Sequence, residues 1–307
     1  MATEPGFTHS ALIVDSEDAL TTRLLPALHR SMAEGRPVLM VVGPDTGELL
    51  RAELGSPAAE LEWGDPDACC ERLGVAFETF RRHLAEQYAL GRRVHVVAEP
   101  VLTSDRASAY LPYEAVCNDA FAAYHCSVTC LWDSRRHPSQ LIDDVRRVHG
   151  YELGDEGFTP NPGFVPASTY LAALGRTQPP PPPSATLLDL LVRDAHDLPR
   201  LRERTRVLAR SLGFPEDDIT LAANEVATNG LVHGAPPVRV RCWRDGGVLV
   251  VQVEDAGGVE LPPAAGYLPP DVDQFGGRGM WIARQLADIV TTYTSPGNTA
   301  VRMSFPA

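Results

Sequence analysis

Up to a run of prolines near its middle, the chain alternates short, continuously apolar stretches with longer stretches of helical periodicity. Residues 10–14 (Ser-Ala-Leu-Ile-Val) predict a first strand. Ser16 offers an N-cap ahead of Glu17 and Asp18, for a helix to about Ala33 carrying Leu20, Leu24, Leu25 and Leu28 on its apolar positions. Gly35-Arg36-Pro37 stops that helix. Residues 38–42 are apolar throughout, as in a strand buried on both faces. Gly43-Pro44 opens a helix to Leu54, and residues 70–90 are again helical after a Pro/Asp-rich loop. Residues 93–98 predict a third strand, 113–124 a helix, 128–132 a fourth strand and 138–149 a helix. That order predicts an α/β layer with a mostly parallel sheet.

Five consecutive prolines, Pro179 to Pro183, hold only an extended polyproline conformation. They divide the chain into residues 1–175, a linker at 176–184, and residues 185–307. After the linker the pattern changes. Residues 187–192 suit an edge strand, and Asp197 precedes Pro199 as the expected N-cap of a helix ending at Gly213. Pro215, followed by Glu216, Asp217 and Asp218, opens the next helix with acids at its positive end. Residues 238–242 alternate strictly, Asp245-Gly246-Gly247 turns, and residues 248–253 return as the second strand of a hairpin. The Pro/Gly-rich stretch 259–275 offers little reason to pack. A glycine-rich turn then enters a helix at Met280, and residues 289–294 and 300–305 close with a hairpin.

Composition narrows the function classes. The chain has 307 residues, enough for two domains with cores, and is 44% hydrophobic and 22% charged. A formal net charge of −13 argues against a general nucleic-acid-binding surface and against attraction to anionic membranes. No stretch approaches the roughly 20 apolar residues that span a bilayer. The N-terminus lacks a basic region and an apolar core, so a cytoplasmic protein is expected. Disulfides are then not expected among the six cysteines. Cys117, Cys126 and Cys130 form C-x8-C-x3-C beside His125, Cys69 and Cys70 are adjacent, and Cys242 is alone. With no C-x2-C pair, buried thiols are the favoured reading over metal or redox chemistry.

The chemistry gathers in the second half. Glu225, Asn229 and His233 stand at i, i+4 and i+8, so a helix projects all three from one face. A carboxylate one turn from a carboxamide suits a Mg²⁺ that bridges phosphate oxygens, the alternative being a solvated polar edge. Asp255 emerges where a strand meets glycines, which let the backbone approach a planar ligand while the carboxylate accepts an amino hydrogen bond. Gly276-Gly277-Arg278-Gly279 presents backbone N–H groups and a helix N-terminus to an anion. Gly43-Pro44-Asp45-Thr46-Gly47 also joins a strand to a helix, but without Gly-Lys-Ser/Thr it is no phosphate loop.

Two resemblances organise these signals. His9 to Val14, the Gly35-x-Pro37-Val38-Leu39 strand entry, Tyr113-Glu114-Ala115 and Leu131-Trp132-Asp133-x-Arg135-Arg136 resemble the MEDS sensory domain over most of residues 7–170. That resemblance implies an α/β input module for a small-molecule or redox signal. His9 looks like that family's early histidine, though a strand-end histidine with a hydrogen-bond partner is the favoured reading. Glu225-x3-Asn229-x3-His233-Gly234, Asp255-x-Gly257 and Gly277-x-Gly279-Met280 resemble the three nucleotide boxes of the GHKL ATPases. The match spans residues 185–307 and implies a Bergerat-type α/β sandwich, helices on one face of a mixed sheet. Its compact size and the Asn-Gly-Leu-Val-His-Gly ending look most like anti-sigma-factor serine kinases.

The resemblance implies ATP and Mg²⁺ as cofactors. It makes Glu225 the catalytic group that activates or orients the attacking hydroxyl and Asn229 the Mg²⁺ ligand, with His233 in the same box. Asp255 would bind the adenine amino group and Gly257 give the base room. Gly277, Arg278 and Gly279 would wrap the phosphates, and Thr299 would stand on the adenine side. The implied partners are a sigma factor and a STAS-domain anti-anti-sigma protein, with a homodimer suggested and no direct nucleic acid or membrane contact. Val259 replaces a second glycine expected after Gly257, with Gly258 adjacent. Two rivals stand: a non-catalytic, nucleotide-gated binding module, and a sensor histidine kinase using His196. The second leaves only 29 positions between His196 and Glu225, too few for the usual two-helix dimerisation hairpin.

Overall fold

The structure, a computed structural model, describes residues 6–16, 18–65, 72–258, 260–270 and 277–307. The chain divides into two compact units, Met1–Glu71 with Ala76–Tyr170, and Arg72–Val75 with Leu171–Ala307.

The first unit is built on seven described strands: β1 (Thr8–Val14), β2 (Val38–Val41), β3 (Glu62–Trp63), β4 (His95–Ala98), β5 (Ser127–Asp133), β6 (Tyr151–Gly154) and β7 (Gly157–Pro160). Their order is β3-β2-β4-β5-β1-β6-β7, and every neighbouring pair is parallel except the β6–β7 hairpin. Helices α1 (Leu25–Ala33), α2 (Pro44–Leu54), α3 (Leu73–Ala89), α4 (Ser104–Ala120), α5 (Ser139–Val148) and α6 (Ala167–Leu174) complete the order. β1, β2 and β5 are almost wholly buried, as their unbroken apolar runs require.

Two local expectations are corrected here. Ser16 does not cap the first helix: its hydroxyl bonds Asp15 Oδ1, and the chain enters through a wide turn at Leu20–Leu24. α4 begins nine residues before the expected position 113 and passes through Pro112. Ala107, Leu111 and Ala115, all but fully buried at i, i+4 and i+8, hold that helix on the core despite the hydrogen bond its proline forgoes. The hairpin and the short helix between residues 151 and 174 had no sequence prediction at all.

The second unit is an antiparallel sheet of order β11-β12-β10-β9-β8, with β8 (Leu188–Val192), β9 (Val238–Asp245), β10 (Val248–Asp255), β11 (Ile289–Ser295) and β12 (Asn298–Pro306). One sheet face, carrying Leu190, Val240, Val251 and Met303, packs on α7 (Leu198–Leu212), α8 (Glu216–His233) and α9 (Arg278–Leu286) through Leu201, Ile219, Ala223 and Ala283. The protein is therefore an α/β molecule with one mostly parallel sheet and one antiparallel sheet. No described helix is long and apolar enough to cross a membrane.

Two further expectations change in this unit. Asp197 does not cap α7 with its side chain. Its Oδ2 instead accepts from Arg193 N at 2.9 Å, and Asp194 caps the preceding short turn through His196 N at 2.8 Å. The Pro/Gly-rich segment does pack where it is described. Tyr267 is 5% exposed, Arg284 lies 3.7 Å over its ring, and Arg284 Nε donates to Ala265 O at 3.1 Å. Gly266, at φ +77°, lies so close that a Cβ would come within 2.6 Å of the Met280 backbone. The buried Arg284 also donates to Val290 O, so one cation ties this segment, α9 and β11 together.

Candidate functional site

The site grows from α8. Ile219, Ala222, Ala223, Val226, Ala227 and Gly230 face the core, which leaves Glu225, Asn229 and His233 on or near the helix margin. Gly230 brings α8 close to the start of β9, where a Cβ would lie 2.9 Å from Val238 Cγ2. A cavity of about 590 Å³ opens beside the C-terminal half of α8. Asn229 and His233 line it from α8, Asp255 from the end of β10, Thr299 from β12, and Gly277 and Met280 from the start of α9. The segment around Leu261 and Gly266 closes the remaining side.

Glycines set how closely these groups stand. A Cβ on Gly279 would meet Asn229 Nδ2 at 2.8 Å, so the first turn of α9 rests directly on the Asn229 carboxamide. Around Asp255 the space is as tight: a Cβ on Gly234 would come within 2.5 Å of its carboxylate, and one on Gly257 within 2.8 Å of Oδ1. Backbone N–H groups of Gly257 and Ala235 donate to Oδ1 at 2.8 and 3.1 Å, which fixes the carboxylate plane. Among the described residues Oδ2 receives no hydrogen bond, so one oxygen is committed and the other remains an acceptor. Thr299 sits opposite Asp255 in the β10–β12 register and is 6% exposed. Gly277, at φ +77°, is the N-cap of α9, where only a residue without a Cβ turns freely into a helix. The α9 N-terminus thus presents its backbone N–H groups beside Asn229.

The expected residues therefore separate into two groups. Asn229, His233, Asp255, Gly277 and Thr299 share the cavity wall, with Gly279 and Gly257 pressed against the two polar side chains. Glu225 is half-buried one turn before Asn229 and does not line the cavity, and Arg278 is exposed in the first turn of α9. Gly276 and Val259 lie outside the described residues. Gly258 is held at φ +60°, where a Cβ would come within 2.5 Å of Gly297 N, so it fits the β11–β12 turn as only glycine can. His196 is almost wholly exposed in a short turn before α7, paired with Asp194. Sequence reasoning named Gly234 only as the end of a motif and missed Gly266 and the Arg284–Tyr267 stack; the only sequence signal for the last was an arginine on the apolar side of α9.

Residues 8–150 match the family model described as MEDS, the methanogen/methylotroph DcmR sensory domain, and residues 191–305 match that of the histidine kinase-like ATPase domain. No curated protein matches the chain. The chain is thus similar to the MEDS sensory domain in its first part and to the histidine kinase-like ATPase domain in its last, and the second similarity implies ATP binding. The cavity fits such a ligand: its volume lies in the usual range for small-molecule sites, with one directed acceptor at one end and a glycine-bounded helix N-terminus at the other.

Proposed function

We propose that this protein is a regulatory anti-sigma factor and serine-protein kinase: it binds Mg²⁺-ATP, phosphorylates a STAS-type anti-anti-sigma antagonist and sequesters a sigma factor, with the MEDS region as its sensor. The observation that carries the reading is the apposition of Asn229 to Gly279 across one cavity from Asp255. In this reading Asp255 Oδ2 accepts the adenine amino group, Thr299 flanks that end, and the bare backbone at Gly257 admits the base. N–H groups at Gly277, Arg278 and Gly279 receive the phosphates, with His233 on the same wall. Asn229 is the side chain that would hold Mg²⁺, which when bound neutralises charge on the phosphate oxygens. A partner serine oxygen bonds to the γ-phosphorus as the bond to the ADP oxygen breaks. ADP departs with that electron pair, and Glu225 takes the hydroxyl proton.

One observation favours a second reading. Glu225, the base of the kinase scheme, is half-buried and off the cavity wall, which suits a module that binds nucleotide to select a partner-binding conformation without transfer. The histidine-kinase rival is weakened by the position of His196 in a short turn rather than on a long helix. Incubation with Mg²⁺-ATP and a panel of STAS domains, read by mass spectrometry with Asn229→Ala as control, separates all three. Phosphoserine on one partner, absent with the variant, supports the kinase. Phosphohistidine on the chain itself would revive the histidine kinase, and nucleotide binding without transfer would leave the gated module.

A further inference from the structure

Four side chains that the nucleotide site does not use converge inside the first unit. His9 stands on β1, Glu114 on α4, Cys130 on β5 and His149 directly after α5, and all four are buried. Parallel pairing assembles two of them: Ala11 registers with Cys130, so His9 and Cys130 share one face of the sheet, with only a methyl beside the thiol. Glu114 Oε2 lies 2.9 Å from His9 Nε2, 3.4 Å from Cys130 Sγ and 3.7 Å from His149 Nε2. Cys130 Sγ is 3.5 Å from His9 Nε2, and the four ligand atoms all fall within 4.8 Å of one another.

Neighbouring hydrogen bonds settle which atoms face inward. Asn118 Nδ2 donates to the carbonyls of Glu114, Ala115 and Val148, which turns its Oδ1 toward His9 Nδ1 at 3.3 Å. His9 is therefore the donor there. His149 Nδ1 likewise donates to Val145 O at 2.7 Å. In the neutral rings the bare lone pair then sits on Nε2, and both Nε2 atoms point at a carboxylate. A proton on His9 Nε2 would satisfy one of these acceptors. It would leave His149 Nε2 and Glu114 Oε1, both buried and without a hydrogen-bond partner among the described residues, still bare.

The opposite face of the same sheet shows a buried histidine that lacks nothing. Ser31 Oγ lies 2.8 Å from His95 Nδ1 and Thr129 Oγ1 3.0 Å from its Nε2, with Ser10 Oγ 3.1 Å from the threonine. Hydroxyls donate or accept as needed, so that network closes on itself. The first cluster has no hydroxyl and holds an excess of lone pairs, which a cation resolves.

We infer that His9, Glu114, Cys130 and His149 form a binding site for a divalent first-row transition metal, zinc foremost, held by two imidazole nitrogens, one carboxylate oxygen and one thiolate. A tetrahedral ion with bonds of about 2.0–2.3 Å spaces its ligand atoms about 3.3–3.8 Å apart. Three of the four distances above lie in that range and the fourth is shorter. The mixed sulfur and nitrogen set is wrong for Mg²⁺ or Ca²⁺. Asn118 and the Val145 carbonyl supply the outer hydrogen bonds that orient metal-ligating imidazoles. On binding, the Cys130 S–H bond breaks, its proton leaves to solvent, and a metal–sulfur bond forms with no change of oxidation state. Glu114 and Cys130 also wall a cavity of about 20 Å³, so one flank of the site is not filled by side chains.

The test uses the full chain, stripped with chelator and titrated with Zn²⁺ against a chromophoric competitor and with Co²⁺ by absorption. Cys130→Ser, His149→Gln and the control Cys126→Ser are compared, with circular dichroism as the check on folding. The expected result is one ion per chain and a thiolate-to-cobalt charge-transfer band. Zn²⁺ affinity should fall at least about a hundredfold in both ligand variants, beyond what outer-shell changes cost, and hold in Cys126→Ser. No stoichiometric uptake by the folded wild-type chain would overturn the inference, as would a cobalt spectrum without the thiolate band. So would unchanged affinity in Cys130→Ser. If a ligand variant does not fold, the wild-type stoichiometry and cobalt spectrum decide alone.

Discussion

The cavity beside α8 and the cluster under α4 are both rich in polar side chains, yet they are made of opposite materials. The cavity is made of absent atoms: Gly234, Gly257 and Gly279 leave room against Asp255 and Asn229, and its polar groups are mostly half-exposed. The cluster is made of surplus electrons, four buried side chains whose lone pairs outnumber the available protons. The first arrangement suits a large anion that brings its own hydrogen-bond donors. The second suits an ion small enough to sit between packed side chains. Polarity alone does not say what a site takes; the free volume and the donor balance do.

Acid should separate the two units most sharply. Burial, with Arg36 adding to it, lowers His95 to about 4, so the folded first unit keeps this ring neutral while the unfolded chain protonates it. Its contribution is therefore complete above about pH 6.5 and lost as pH falls toward 4, worth about 3 kcal/mol in all. Urea titrations between pH 7 and 4 should show this slope, and His95→Gln should make it shallower. Both histidines of the second unit, His196 and His233, are exposed. A slope unchanged by His95→Gln would break this part of the contrast.

Next in size is Asp255→Asn. The substitution keeps an acceptor for Gly257 N and Ala235 N but turns the outward oxygen into a donor. Nucleotide affinity should fall about a hundredfold, near 3 kcal/mol, with the unfolding midpoint little changed. Calorimetric titration with ADP checks it, and a loss confined to stability would mean the carboxylate serves the fold alone. Gly266→Ala should act the other way round, costing about 1–3 kcal/mol of stability because the added methyl meets Met280 backbone at a positive φ. Differential scanning calorimetry reads that loss. The smallest effect is expected from Gly279→Ala, which crowds only the tip of Asn229: nucleotide affinity should drop about tenfold, with a smaller loss of stability. Unaltered binding would show that the α9 turn and Asn229 are not one device.

The cavity beside α8 was largely legible because its side chains lie at helical spacing or at a strand end, where local rules apply. Asn229 and His233 share a wall because four residues make about one turn. Glu225 obeys the same spacing yet misses the wall, since the cavity begins only at Val226 and lies along the later turns of α8. The cluster was not legible. Cys130 stood in a cysteine pattern with Cys117 and Cys126, whereas its partners come from β1, α4 and the end of α5, more than a hundred residues away in the case of His9. Only the parallel register of β1 on β5 brings them together. Pro112 hid the first half of α4 for a similar reason: a local stop signal was outweighed by a buried stripe that tertiary packing rewards. Arg284 hid the packing of the 260–267 segment, because a cation's carbonyl and ring partners leave no periodic trace.

The linker has a consequence for where the chain can be cut. β11 is an outer strand of its sheet, and the Thr294 N–H on its open side is taken by the Gly175 carbonyl at 2.8 Å, while Arg302 reaches Pro180 O at 2.5 Å. Gly175, before the proline run, therefore covers part of a strand edge that would otherwise template pairing with a second chain. A fragment beginning at residue 185 would carry every residue of the cavity wall and an unguarded border. Light scattering should find it stickier than one beginning at residue 171, which makes the shielding segment part of the smallest well-behaved fragment rather than a disposable tether.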